Sequence, residues 1–288
     1  MAKSPAHKFG QIIGDVLEAA IAPLLNTFAQ KHGLYLDRKG RREARNSKKV
    51  TWKDARGNVH DLDFVLERGG TEKVTGTPVA FIETAWRRYT KHSRNKAQEI
   101  QGAILPLLEA HHKAGPFPGI ILAGVFTDGA IEQLRSSGFA VLHFHYETVV
   151  SAFREAGIDA AFDETTPDAE FDRKIRAWDT LEPSARCGVG SLLIKANQAA
   201  IREFLSQLER TVTRRVDSVR VLPLHGTAQA LASVTDAIRF IAGYVVNQGP
   251  QLLVKFEIEI VYNNGDKICG QFQDQQAAVA FLRNYETS

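Results

Sequence analysis

The chain has 288 residues, enough to bury a sizeable core as one large domain or two smaller ones. Its 44% hydrophobic and 24% charged content is that of an ordinary globular protein and excludes a disordered or fibrous one. The net charge of +3 is too small to establish a polyanionic partner, so the placement of charge has to carry that argument. Cys187 and Cys269 fit neither a metal-ligand spacing nor a disulfide framework, and Cys269, in a predicted strand, reads as a buried free thiol. Met1 to Gly10 is polar, without the apolar core of a signal peptide, and the apolar runs read as too short to cross a bilayer. The expectation is a cytoplasmic protein.

In chain order, "GQIIGDVLEAAIAPLLNTFAQKHG" is a helix whose Ile13, Val16, Leu17, Ala20, Ile21, Leu24 and Phe28 share one face. Pro23 should kink it and Gly33 stop it. A basic stretch follows. Between Arg38 and Gly57 stand nine Lys and Arg against Glu43 and Asp54. "KKVTWKDARGNVHDLDFVLE" reads as a hairpin turning at Ala55 to Asn58, and Thr77 to Ala85 as the next strand. Ser93 is a good N-cap for a helix to about His112. "GIILAGVF" and "FAVLHFHY" are apolar runs expected of strands covered on both faces, with short helices around Ala130 to Ser136 and over "ETVVSAFREAG". Helical crossovers between these strands imply parallel pairing, hence a mixed α/β sheet flanked by helices.

The acidic, Pro167-containing segment 163–172 suggests a boundary between a first domain, 1–165, and a smaller α+β region, 166–288. The second region should hold helices at about 169–180 and 191–214 and a strand "DSVRVLPL". A helix "SVTDAIRFIAGYVV", a hairpin turning at Asn264-Gly265 and a closing helix follow. Target recognition or dimerisation is the expected role there.

Strand alternation would put Asp61 and Asp63 on one face of "VHDLDFVL", with Leu62, Phe64 and Leu66 on the other. Glu83 shares its face with Val79, Phe81 and Ala85. If these strands are neighbours, Asp63 and Glu83 converge, and two close carboxylates repel unless a cation intervenes. Oxygen-only ligands suit a hard ion, Mg²⁺ above all. Glu18, at the margin of the first helix's apolar face, is a third candidate ligand. The basic residues would neutralise a phosphodiester substrate. By contrast, His143 and His145 share a face of a buried strand and read as structural.

At these residues the sequence resembles the PD-(D/E)XK nuclease superfamily, the fold of most type II restriction endonucleases and several repair nucleases. The resemblance covers roughly residues 8–155. Asp63 before "FVL" matches the metal-binding Asp, Glu83 ending "VAFIE" matches the second carboxylate, and Glu18 matches the glutamate of the first helix. One position departs. The superfamily's lysine falls two residues after the glutamate, where this chain has Ala85. Some members recruit the lysine from the following helix, where Lys96 is the first candidate, ahead of Lys91 and Arg87.

What the resemblance implies is a Mg²⁺-dependent endonuclease cutting double-stranded DNA. Asp63, Glu83 and Glu18 would hold the metal, with Lys96 at the scissile phosphate. Arg41, Arg42, Arg45, Lys48, Lys49, Trp52, Arg87, Arg88 and Lys91 would contact DNA. With no helicase or methyltransferase motif, a free-standing, homodimeric type II restriction enzyme is the first expectation. A repair or junction nuclease of the same fold is the alternative, as is a DNA-binding module that Ala85 has left inactive.

Overall fold

The computed structural model describes residues 4–90, 93–224, 226–245 and 253–286. The chain divides into two compact units, Met1–Val212 and Thr213–Ser288.

In the first unit, helix α1 (Pro5–Lys31) starts at Ser4, whose hydroxyl oxygen accepts the His7 N–H, and runs without a break through Pro23. By length and composition it could cross a bilayer, contrary to the sequence expectation, but Phe9, Ile13, Leu17, Ile21 and Leu25 are buried in the protein core. Strand β1 (Leu34–Arg38) follows, between the first helix and the basic stretch, where the sequence pattern assigned no element. The expected hairpin is β2 (Val50–Lys53) with β3 (Val59–Leu62), and a bend at Asp63 separates it from β4 (Phe64–Arg68). Then come β5 (Thr77–Arg87), α2 (Ser93–Ala110), β6 (Phe117–Gly124), α3 (Asp128–Ser136), β7 (Ala140–His145) and α4 (Tyr146–Glu155). The sheet order is β1-β4-β5-β6-β7, antiparallel from β1 to β5 and parallel from β5 to β7, as the helical crossovers required.

Two apolar layers sandwich this sheet. Phe64, Leu66, Ala80, Ile82, Ile121 and Ala123 face α1, while Val65, Phe81, Ala85, Ile120 and Leu122 face α2 and α3. Leu62 belongs with the second set and Phe64 with the first, so the bend at Asp63 breaks the alternation that had placed both on one side. Beyond it, Asp61 is exposed and bonded to Lys49, apart from Asp63. At the far end of β5, Gly124 has φ +98, and a Cβ there would lie 2.0 Å from the Arg87 carbonyl oxygen, so only glycine fits.

The segment 163–172 is not where the chain divides. Helices α5 (Asp168–Thr180), α6 (Pro183–Ala196) and α7 (Gln198–Val212) pack Phe171, Ile175, Val189, Leu193, Phe204 and Leu208 into the α1 layer. The single helix expected over 191–214 is thus two, separated at Asn197. The second unit is an antiparallel sheet in the order β11-β10-β8-β9, built from β8 (Val216–Pro223), β9 (Gln229–Leu231), β10 (Phe256–Tyr262) and β11 (Lys267–Phe272). Helices α8 (Val234–Ala242) and α9 (Gln275–Arg283) cover one face of it through Ala237, Ile241, Ala278 and Leu282. Cys269 lies on the opposite face and is exposed, not buried as expected.

A buried ion network fixes the loop after β1. Arg42 is 4% exposed and donates from Nη1 to Glu67 Oε1 at 2.6 Å and from Nη2 to Glu67 Oε2 at 2.9 Å. Nη1 also stands 2.8 Å from Asp37 Oδ2, and Nη2 donates to the carbonyls of Thr71 (2.8 Å) and Val74 (2.9 Å). Arg45 completes the tie, donating to Asp37 and to the carbonyls of Arg38 and Lys49. Both arginines are struts, not the DNA contacts that their place in a basic run suggested. Burying these charges is tolerated because every one is paired. Arg42→Ala should therefore destabilise the chain by about 3–5 kcal/mol in urea unfolding, since it strands Glu67 and Asp37 without their cation. Arg42→Lys should recover little of that, lacking the planar fork.

Candidate functional site

The antiparallel register sets the site. Phe64 lies opposite Ile82, so one step further, where β4 begins, Asp63 comes level with Glu83. Their carboxyl groups are within hydrogen-bonding reach of each other. Asp63 is held from below. The Thr84 N–H and hydroxyl both donate to its Oδ2, at 2.8 and 2.7 Å. Thr84 gave no signal in the sequence because alternation turns its side chain to the opposite face from Glu83. Only the register reveals that the bend brings Asp63 over it.

The electrostatics of the cluster are those of an anion excess. Burial, then the charge of Asp63 and the hydrogen bond to it, push the Glu83 carboxyl up to about 9, with Glu18 adding to the rise and Lys96 opposing it. Glu18, from α1, is pushed up to about 7, first by burial and then by Asp63, with Lys39 opposing. Four of the residues singled out in the sequence, Glu18, Asp63, Glu83 and Lys96, thus act on one another. Ala85 is buried on the Glu83 face beneath α2, with no ammonium of its own to offer.

Lys96 is one-fifth exposed, and its ammonium lies 3.1 Å from Glu99 Oε2. Arg87 Nη2 lies 3.9 Å from the same oxygen, and Arg87 Nη1 donates to the Trp86 carbonyl. Glu99 therefore gathers both cations beside the carboxylates, a role that an exposed helix glutamate did not signal in the sequence. Lys91 lies outside the described residues.

The remaining expected DNA contacts separate into two kinds. Arg41, Lys48 and Lys49 are exposed, although Lys49 pairs with Asp61. Besides Arg42 and Arg45, Arg88 is committed to the fold: it donates to the Phe162 carbonyl and lies 4.2 Å over the Tyr146 ring. Trp52 packs edge-on against Phe81 and His111, ring centroids 5.7 and 5.3 Å away, as part of the α2-side core. His143 Nε2 lies 3.0 Å from the Gly124 carbonyl, in keeping with a structural histidine.

The donor set fits a hard divalent cation, for it offers carboxylate oxygens alone and lacks a neutralising charge of equal size. Among the described residues no three His, Cys, Asp or Glu side chains close into a ready metal cage. A close pair with a third carboxylate further off suits Mg²⁺, which keeps waters and takes the rest of its ligands from a phosphate.

Comparisons with known proteins add little. No protein family and no curated protein matches the sequence. A crystal structure of a protein of unknown function, AF1548, aligns over 68% of this chain and 98% of its own at 12% identity. Its TM-score of 0.28 is too low to support any argument.

The raised carboxyls give a test without any substrate. A carboxyl whose folded pKa lies above its unfolded value stabilises the fold at low pH, and that contribution is lost as pH rises through the folded pKa. Between about pH 5 and pH 9, without divalent ions, the parent should therefore lose melting temperature relative to Glu83→Gln. Mg²⁺ should raise the melting temperature of the parent and leave that of Glu83→Gln nearly unmoved. A parallel pH dependence in the two proteins would argue against the cluster.

Proposed function

We propose that this chain is a Mg²⁺-dependent endonuclease of the restriction-endonuclease-like fold, acting on double-stranded DNA. The observation that carries the proposal is the meeting of Asp63 and Glu83 at the start of β4, with Glu18 and Lys96 in electrostatic reach. Such a crowd of carboxyls must share either a proton or a cation, and a site flanked by Lys96, Arg87 and Lys39 suits a polyanionic substrate.

Asp63 and Glu83 would hold the ion, with Glu18 as a further ligand. Bound there, Mg²⁺ supplies positive charge for the phosphoryl group and activates water as the nucleophile. The protein's own groups do the rest. Thr84 fixes one oxygen of Asp63 and so orients the carboxylate that would hold the ion. Lys96 presents a compact charge for the oxygens of the pentavalent phosphate, in place of the lysine that Ala85 lacks. Glu99 holds that ammonium in place until a phosphate competes for it. Arg41 and Lys48, exposed on the loop that Arg42 pins, would bind the DNA backbone. A cytoplasmic, homodimeric type II restriction enzyme is the narrower form of this reading, and cleavage of a plasmid at fixed sequences would test it.

Glu83→Gln should abolish Mg²⁺-dependent cleavage while leaving DNA affinity within a few-fold, because it removes a ligand and also a repulsive charge. Lys96→Ala should lower the single-turnover cleavage rate by roughly 10²–10³, the usual loss for one preorganised charge donor. Returning the ammonium to the strand, as Lys96→Ala/Ala85→Lys, should recover part of it. If Lys96→Ala cuts at the parental rate while Arg87→Ala or Lys91→Ala fails, the cation is assigned to the wrong residue. A parent that binds duplex but never nicks it with Mg²⁺ would instead be an inactive DNA-binding module.

A further inference from the structure

Among the described residues, strands β2 and β3 pair only with each other, from Val50 opposite Leu62 to Lys53 opposite Val59, and join neither larger sheet. The base of this ribbon is anchored, with Val50 and Leu62 buried and Trp52 against Phe81. Its tip is bare: residues 55–59 are all exposed, Val59 by 58%.

The tip is nonetheless rigid. The Asp54 carboxylate accepts the N–H groups of Arg56 and Asn58, each at 2.9 Å, and the Asn58 side-chain amide at 2.9 Å, and lies 3.2 Å from His60 Nε2. These bonds, that of the Asn58 side chain first, hold its pKa down at about 2, so it stays an anion turned into the turn. Gly57, at φ +84, closes the loop with its N–H on the Asp54 carbonyl. The Asp54 oxygens are thereby occupied within the turn, whereas Lys53 and Arg56 are exposed and their side chains have no hydrogen-bond or ion-pair partner among the described residues.

The result is a preordered two-stranded ribbon whose tip carries two unpaired cations against one internally bonded anion, and its second strand runs directly into Asp63. B-DNA's major groove admits a two-stranded ribbon of this kind. Entry would cost little ordering entropy, since the turn is already fixed. An acidic protein surface offers matching charge but no groove for the ribbon to occupy. We propose that the β2–β3 hairpin enters the major groove of duplex DNA next to the Asp63–Glu83 site, with Lys53 and Arg56 meeting phosphates or guanine edges. This rests on the nuclease reading and names the element that would read the substrate.

The test uses the full chain, a short fluorescent duplex of random sequence, and Ca²⁺ in place of Mg²⁺ to hold off cleavage. Lys53→Ala/Arg56→Ala should melt with the parent and bind the duplex about 5- to 100-fold more weakly. The slope of log affinity against log salt should become shallower by about 0.9 for each phosphate that the variant leaves unneutralised. Methyl green, a major-groove ligand, should displace the parent, and netropsin, a minor-groove ligand, should not. Parental affinity and slope in the double variant, or displacement by netropsin alone, would overturn the proposal. Arg56→Gln gives the same reading should the double variant unfold. A parent that cuts DNA while the hairpin variants bind as it does defeats this inference alone. A parent that binds through the hairpin yet never cuts defeats only the nuclease reading.

Discussion

Two carboxyl groups brought level by an antiparallel register in a half-buried place repel unless they share a proton or a cation. That constraint organises the first unit. The sheet supplies the register, since Phe64 opposite Ile82 carries Asp63 to Glu83. The bend at Asp63 frees its side chain from the alternation of β4, and Thr84 catches it. Helix α1 adds Glu18 from one side and α2 adds Lys96 from the other. The local repulsion is tolerable because the rest of the sheet is covered on both faces by apolar layers that outweigh it.

The basic stretch after β1 shows why a count of charges is a poor guide to partners. Arg42 and Arg45 differ from Arg41 and Lys48 in nothing that composition reveals. Yet Arg42 is enclosed by Asp37, Glu67 and two carbonyls, while Arg41 and Lys48 face solvent. A guanidinium can be buried only where several acceptors converge on its planar fork, and those acceptors come from β1, β4 and the loop after β4. The two kinds of basic residue then cooperate. The buried ones tie the loop that carries the exposed charges to β1 and β4.

The second unit is built by a different rule. Its sheet is covered by α8 and α9 on one face, and β10 alternates accordingly, with Phe256, Ile258 and Ile260 inward and Glu257 and Glu259 outward. The outward carboxylates are paired: Glu259 with Lys267 and Glu257 with Lys255, each at 2.9 Å. Cys269 shares that outward face, which is why its place in a strand did not imply burial.

By itself the sequence determined most helices and most strands, the parallel half of the sheet, the Asn264-Gly265 hairpin, and the four residues that act on one another in the carboxylate cluster. These are legible because helical and strand periods are local, and because a carboxylate ending an apolar strand is conspicuous. Tertiary structure alone decided the rest. It made β1 a strand by pairing it with β4, and it moved the unit boundary to Val212 by packing α5 and α6 on α1 and α7 on the sheet. It also separated Asp61 from Asp63, and turned Arg42, Arg45, Arg88 and Trp52 inward. Each of these outcomes depends on partners distant in the chain: a strand's neighbour, a helix's apolar target, or an arginine's acceptors. No local pattern encodes such partners, so they emerge only when the chain is folded.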